Sequence, residues 1–450
     1  MMRFQEKFPK SSEMSLRLQG LFDSSSIEEL AYESKFVQKP SPMTGFKFFK
    51  LCLEGVAKDG QLRSLNELCV SALKMNSKLS EQSLNERFNK KGVAFMKVLF
   101  EKVVEQRLDN SALNLLTNFS QINLGDSTQI ALAKNLASLY TGSGGNASKA
   151  QLKIDFTYDL KSDCFDLNLR DGKRADVSMQ LPDKIAPNSL WLKDMGYFKL
   201  ANFERIEKKE AYYISRLKAG VLVYLSAEKE AEPIDFLKVL KKMKCNEVKD
   251  FKVFIGKHKR LPSRLILQKV PKEVANKKRK ARKKAKVKRG AKVSKYRFAL
   301  CDGNAFITNL EKEEWTGYEV MTLYKIRWQI EILFKVWKSI LKIDKMKKIK
   351  PERFLCLMYA QLIWVVLNMR VFQSFKISIW KDFQIEISEL KSYKIIKSFH
   401  RKLLKAIFRN TKKSYKKCLD RMYESILLFG KKKYRRGNPN PLFTWKKTLT

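Results

Sequence analysis

Apolar residues fall along this chain at different spacings, and each spacing predicts its own kind of element. From residue 1 to about 110 they recur every three to four positions, which predicts helices. Ser25-Ser-Ile-Glu28 and Ser64-Leu-Asn-Glu67 have capping-box spacing, in which hydroxyl and carboxylate each satisfy a free backbone N–H at a helix start. The second box opens a helix over Leu65–Leu73, a polar break follows at Asn76–Ser80, and another helix is predicted from Glu81 through Gln106. Helix, turn and basic helix suit a helix-turn-helix entering a major groove, and equally an ordinary helical bundle.

Near residue 119 the period changes to two. Phe119–Leu124 predicts a strand ending at Gly125-Asp126-Ser127-Thr128, followed by a Gly/Ser loop at 141–146. Ala150–Asp159 alternates strictly, placing Leu152, Ile154, Phe156 and Tyr158 on one face of a strand. Cys164–Leu169 alternates too and closes at Asp171-Gly172; a short helix or connection covers 174–181. Ser189–Lys193 is a strand ending at Asp194, Ala201–Lys209 a helix and Ala211–Leu217 a strand. A three-strand meander followed by strand–helix–strand predicts an α/β fold with a mixed sheet.

Between about 220 and 300 that order lapses. Phe251–Ile255 and Arg264–Gln268 are strand-like, and ten of the thirteen residues from Lys277 to Arg289 are Lys or Arg. Such a run is expected to stay solvated rather than pack, as a phosphate-tracking arm or a solubilising insertion. From Gly317 the chain is helical and basic to a cationic tail at Lys431–Pro441. The longest apolar run, Phe354–Leu367, falls short of the ~20 residues that span a bilayer, so it predicts a buried core helix.

One helical stretch, Tyr324 to Lys338, differs from the rest. At about 100° per residue, Tyr324, Arg327, Glu331 and Lys338 share a strip about 60° wide, and apolar residues fill the opposite side. Arg327 and Glu331 are also an ordinary i,i+4 salt-bridge pair, and pattern alone leaves both readings open.

Composition narrows the chemistry. Of 450 residues, 92 are Lys or Arg and 46 Asp or Glu, a formal net charge of +46. With 44% hydrophobic residues the chain should fold and carry that charge outward, toward a polyanion. Nucleic acid fits better than a membrane surface, because the charge is spread along the chain rather than set beside a lipid anchor. Met1-Met-Arg-Phe-Gln-Glu-Lys7 has no signal-peptide pattern. Seven widely spaced cysteines, none in a Cys-x-x-Cys pair, argue for a reducing cytoplasm and against a zinc site. With two histidines only, His258 and His400, any catalysis falls to carboxylates. Asp126 and Asp194 each stand where a predicted strand gives way to small residues; alone, either could be a turn residue or a helix cap. Together with a glutamate on a later helix they could surround two divalent cations about 4 Å apart, and phosphodiester chemistry then needs no histidine.

These residues carry a resemblance. Tyr324, Arg327, Glu331 and Lys338 satisfy the Tyr-x2-Arg-x3-Glu-x6-Lys signature of a group of bacterial insertion-sequence DDE transposases, insertion-sequence family four. The surroundings of Asp126 and of Asp194-Met-Gly-Tyr-Phe198, with Tyr213-Ile-Ser-Arg216 downstream and Thr308-Asn309 before the signature, are similar to that family's two aspartate regions. The resemblance implies a ribonuclease H-like α/β core with a mixed sheet, interrupted by a mostly β insertion and flanked by helical N- and C-terminal regions. The implied organisation is a DNA-binding region over 1–110, core over 111–221 and 301–375, a basic insertion over 222–300 and a basic helical region over 376–450. It implies Asp126, Asp194 and Glu331 as catalytic, metal-binding residues for two Mg²⁺ ions, which Mn²⁺ would replace. Tyr324, Arg327 and Lys338 would contact phosphates, and Trp328 would stack near a distorted terminal base. The implied function is cut-and-paste transposition of double-stranded DNA, by a homodimer in the synaptic complex, with no membrane partner, in a nucleoid-associated cytoplasmic setting. A catalytically silent DNA-binding derivative and a nuclease of the same fold are the alternatives.

Overall fold

A computed structural model describes residues 8–433, other than 58–61, 107–116, 145–147, 163, 176–180, 288–296, 299 and 345–347. The tail predicted at Lys431–Pro441 therefore lies almost wholly outside the described residues, as does most of the connection expected at 174–181.

The N-terminal region is helical, as its periodicity predicts: α1 (Ser11–Leu21), α2 (Ser24–Glu33), α3 (Gly45–Ala57), α4 (Leu65–Leu73), α5 (Glu81–Arg87) and α6 (Lys90–Glu105). Ser64 and Glu67 form the capping box that starts α4. The single helix expected from Glu81 to Gln106 is broken, because the Asn89 side chain accepts the Lys91 and Gly92 N–H groups and starts a new helix there. Phe95, Met96, Leu99, Phe100 and Val103 of α6 are buried, so one whole face of this basic helix is committed to the core.

The strands are β1 (Ile122–Leu132), β2 (Ala150–Asp159), β3 (Phe165–Asp171), β4 (Leu190–Lys193), β5 (Tyr212–Arg216), β6 (Val223–Tyr224), β7 (Val248–Ile255), β8 (Leu261–Lys269) and β9 (Gly303–Thr308). They form one mixed sheet in the order β3-β2-β1-β4-β5-β9-β8-β7-β6. Strands β1, β2 and β3 are antiparallel, whereas β4 lies parallel to both β1 and β5. Helix α7 (Leu200–Glu207) connects β4 to β5. The insertion is more mixed than expected: its strands continue the same sheet, but it also holds α8 (Phe236–Lys242) and α9 (Lys272–Val287). Thr308 Oγ donates to Tyr213 O, and Asn309 bonds both Tyr213 N and Ala211 O, so this dipeptide stitches β9 to β5.

After β9 come α10 (Gly317–Lys325), α11 (Trp328–Ser339), α12 (Pro351–Phe383), α13 (Glu389–Ser398), α14 (His400–Arg409) and α15 (Lys412–Phe429). The apolar window of α12 is long enough to cross a membrane, but 89% of it is buried inside the protein, which makes it a core helix. The predicted inner face of β2 does pack inward: Phe156 lies 4.9 Å from the Trp337 ring and 6.2 Å from Phe334, both on α11. That contact seats α11 over β1 and β2. A second core on the insertion side gathers Trp191, Phe203, Tyr213, Phe236, Ile255 and Leu265.

Candidate active site

The parallel register of β1 and β4 decides what meets at the sheet's centre. Gly125 lies opposite Lys193, so the next residues along the two chains, Asp126 and Asp194, emerge side by side. Asp126 is not at a strand end, as the small residues after it suggest; β1 runs on to Leu132 because it stays paired with β2. It is β4 that stops at Lys193, which uncovers Asp126 on that side. Asp194 then stands at the start of a short 3₁₀ turn over Met195–Tyr197, its carboxylate making no cap bond to that turn.

The third acid comes from α11. Glu331 stands in the helix's first turn, where the macrodipole favours an anion. Between the acids lies Arg327. Its guanidinium is 2.6 Å from Glu331 Oε1, 3.4 Å from Asp126 Oδ2 and 3.9 Å from Asp194 Oδ1. Three carboxylates from three elements thus share one buried cation. The i,i+4 pair anticipated as a plain ladder is present, but as one arm of a larger junction. Burial pushes the Asp126 carboxyl up to about 6; the Ser127 N–H and Arg327 oppose this, whereas Asp194 and Glu331 reinforce it.

The signature is not one helix. It is interrupted between α10 and α11 by a tightened turn at Ile326-Arg327, and Tyr324 lies inward. There Tyr324 is buried, its hydroxyl 3.4 Å from Lys193 O, its ring 5.2 Å from Phe306, and burial pushes the phenol up to about 12. Tyr324 therefore braces the backbone next to Asp194 rather than facing solvent. Trp328 is the opposite, 59% exposed beside Arg327. Lys338 lies two turns beyond Glu331, roughly 10 Å along the axis, where burial lowers its pKa and Asp344 opposes that shift.

Several residues that the sequence did not single out as site residues belong to this neighbourhood. The Lys193 ammonium is buried against the Trp191 and Tyr197 rings, and burial lowers its pKa to about 8. A Cβ at Gly125 would stand 3.0 Å from Lys193 Cε, so the glycine before Asp126 makes room for that side chain. Next to Met195 opens a cavity of about 330 Å³, whose walls include Arg216, Lys218, Lys278 and Arg282 but no carboxylate. Arg216 and Lys278 both donate to Asn304 Oδ1, at 3.0 and 2.6 Å. No spacing rule joins Arg216 to Lys278; only the sheet order does.

Among the described residues no three His, Cys, Asp or Glu side chains are close enough to hold a metal ion as they stand. The donor set itself, three hard carboxylates with no thiol or imidazole, suits a divalent cation of the Mg²⁺ or Mn²⁺ type in place of the guanidinium.

A family model described as a transposase DDE domain matches residues 118–367, spanning all three acids. The chain is 32% identical over 417 residues to the transposase for insertion sequence element IS1151 of Clostridium perfringens, covering 88% of each chain. It is 30% identical over 435 residues to the transposase for IS231B of Bacillus thuringiensis subsp. berliner, covering 91% of this chain and 90% of that one. A shorter similarity, 28% over 202 residues, links it to the putative transposase InsL for IS186A of Escherichia coli.

Proposed function

This chain belongs to the DDE-domain transposases of bacterial insertion sequences, and from that premise we infer how its residues divide the work of cutting and joining DNA. The family's activity is DNA cleavage and strand transfer, with divalent-metal use. Asp126, Asp194 and Glu331 are the catalytic acids and would hold two Mg²⁺ ions, with Mn²⁺ able to substitute. Bound there, the ions supply an activated hydroxyl and stabilise the leaving oxygen of the phosphodiester. The observation that carries this reading is the Arg327 junction, which draws together acids from β1, the end of β4 and α11.

The protein's own groups perform the remaining tasks. Arg327 holds the carboxylates in register, and an incoming phosphate competes for its fork of donors. Trp328, exposed at the same helix start, offers a ring on which an unstacked terminal base can lie. Lys338 takes a phosphate further along α11. Tyr324, buried against Lys193 O, contributes by fixing the chain at Asp194. The four cations round the cavity next to Met195 carry the charge of a strand leaving the acids.

The strand order β3-β2-β1-β4-β5, antiparallel over the first two steps and parallel over the last two, supports a ribonuclease H-like core. The Tyr324, Arg327, Glu331 and Lys338 spacing supports membership of insertion-sequence family four. Cut-and-paste movement by a homodimeric synaptic complex, in the nucleoid-associated cytoplasm, completes the reading.

The test is Glu331→Gln on linear DNA carrying the element's terminal repeats with Mg²⁺. Cleavage should fall by about a thousandfold or more, several kcal/mol of transition-state stabilisation, while end binding changes less than about threefold. Cleavage that persists would remove Glu331 from the metal set. Wild-type products that are cut but never joined would instead favour a nuclease.

A further inference from the structure

The lysine run is largely solvated, as its composition predicts, but it is not a loose arm. Over its described part it is α9, and one face of that helix is fastened down. Ala275 is buried, Lys278 Nζ donates to Gly303 O at 3.1 Å and to Asn304 Oδ1, Arg279 pairs with Asp302 at 2.5 Å, and Arg282 donates to Arg297 O. Taking Lys278 as zero, Ala275, Arg279 and Arg282 lie at about 60°, 100° and 40° round the axis. Lys277, Lys280 and Lys284 lie at about 260°, 200° and 240°, on the far side, and all three are exposed.

The two faces differ in kind. Both arginines of this segment lie on the inner side, where Arg279 reaches Asp302 and the more exposed Arg282 reaches Arg297 O; from Lys277 to Lys284 the outer row is lysine alone. Lysine presents a mobile point charge suited to phosphate without a geometric demand, whereas arginine suits directional bonding. From Lys277 to Lys284 the outer row carries no carboxylate, the exposed Glu273 standing one turn before it at about 220°, and the like charges of Lys277, Lys280 and Lys284 at i,i+3 and i,i+4 work against the helix. Anchoring to β9 and the turn before it is what keeps such a row presented at one place. From Lys277 to Lys284 the row spans about 10 Å, the axial rise of about three phosphates of one duplex strand.

We propose that the outer face of α9 is a sequence-independent docking surface for the phosphate backbone of duplex DNA, fixed beside the active site by its inner face. This rests on the transposase reading and adds to it a further grip on the DNA backbone, apart from the candidate acids and signature residues.

The full chain with Lys277→Gln, Lys280→Gln and Lys284→Gln together is compared with wild type and with the Lys→Arg triple. Binding is measured from about 50 to 200 mM salt, on a duplex carrying an element end and on a scrambled duplex. Each lost phosphate contact lowers the slope of log K against log salt by about 0.9, so the Gln triple should lose between two and three on both duplexes. The Arg triple should keep the wild-type slope, and unchanged circular dichroism and melting would show that the fold is intact. A Gln triple with the wild-type slope overturns the proposal and leaves the transposase reading standing. A loss confined to the element-end duplex overturns sequence independence. Failure of the wild type to bind either duplex would overturn the functional reading and the proposal with it.

Discussion

At the centre of the sheet three carboxylates share one guanidinium, whereas round the cavity between β9 and α9 two cations share one amide oxygen. Each cluster is short of counter-charge, and the shortfalls have opposite sign. The acid cluster lacks positive charge and can take divalent cations; the basic cluster lacks negative charge and can take phosphate. Met195, which follows Asp194 directly, lines the cavity, so the two deficits adjoin. A basic chain with +46 formal charges can therefore keep a usable acid centre, because most of its cations point elsewhere and one, Arg327, is held in place by bonds.

The largest expected effect comes from cutting the tie between these two regions. Arg264 on β8 forms a bidentate pair with Asp250 and also donates to the carbonyls of Leu310, Glu311 and Trp315, in the segment that leads into α10. Both partners of the pair are largely buried. Arg264→Ala leaves the Asp250 carboxylate without its cation and takes a donor from three carbonyls, of which only Glu311 O keeps another, the Trp315 N–H, so stability should drop by about 3–5 kcal/mol in denaturant unfolding. A loss under about 1 kcal/mol would mean that the cationic half of the sheet does not depend on this anchor.

Next in size is the charge of the acid cluster itself. Arg327→Gln removes the cation that competes for all three carboxylates. Calorimetric titration of Mn²⁺ without DNA should then show affinity raised by about tenfold, roughly 1.4 kcal/mol. Duplex DNA should raise Mn²⁺ affinity in wild type, by drawing Arg327 toward phosphate, and much less in the variant. Equal affinities in the two proteins would show that the guanidinium holds the acids in register without contending for their oxygens.

How much of this was legible beforehand depends on where each signal is stored. The strands of the core could be read because one face of each is apolar at period two, and Phe156 does meet Trp337 as that alternation requires. That Asp126, Asp194 and Glu331 would converge could be anticipated because small or glycine residues follow the two aspartates and because Glu331 lies in a spaced signature. The break at Ile326-Arg327 could not. No Pro or Gly marks it, and both residues keep helical dihedrals; the chain only tightens, with Ile326 N bonding Leu323 O and Arg327 N bonding Tyr324 O. Each tightened residue advances about 120° instead of 100°, so Tyr324 stays close to the line of Arg327, whose guanidinium lies 5.6 Å from the Tyr324 ring, while its hydroxyl reaches inward to Lys193 O. The anchoring of α9 was equally hidden. Its partners, Asp302, Gly303 and Asn304, lie well beyond the run in sequence, and only the β8–β9 pairing brings them under the helix.

The smallest effect sharpens the comparison from the basic side. Burial lowers the Lys278 ammonium from 10.5 to about 8, with Arg216 and then Arg282 adding to the shift while Cys301 and Asp302 oppose it. Below about pH 8 the folded protein carries this charge, and a phosphate in the cavity is fully attracted. Between about 8 and 10.5 the free folded protein has released the proton that the unfolded chain still holds, so this group makes stability rise with pH across that window. A bound phosphate reverses the preference by favouring the charged ammonium, so DNA binding must take up a proton there and weaken as pH rises. Wild-type affinity for duplex DNA should therefore fall several-fold more between about pH 7.5 and 9.5 than that of Lys278→Gln. Groups common to both proteins, the buried Lys193 among them, cancel in that difference. Parallel pH profiles would mean that phosphate does not reach Lys278 and that the cavity's positive charge serves only to seat α9 on Asn304.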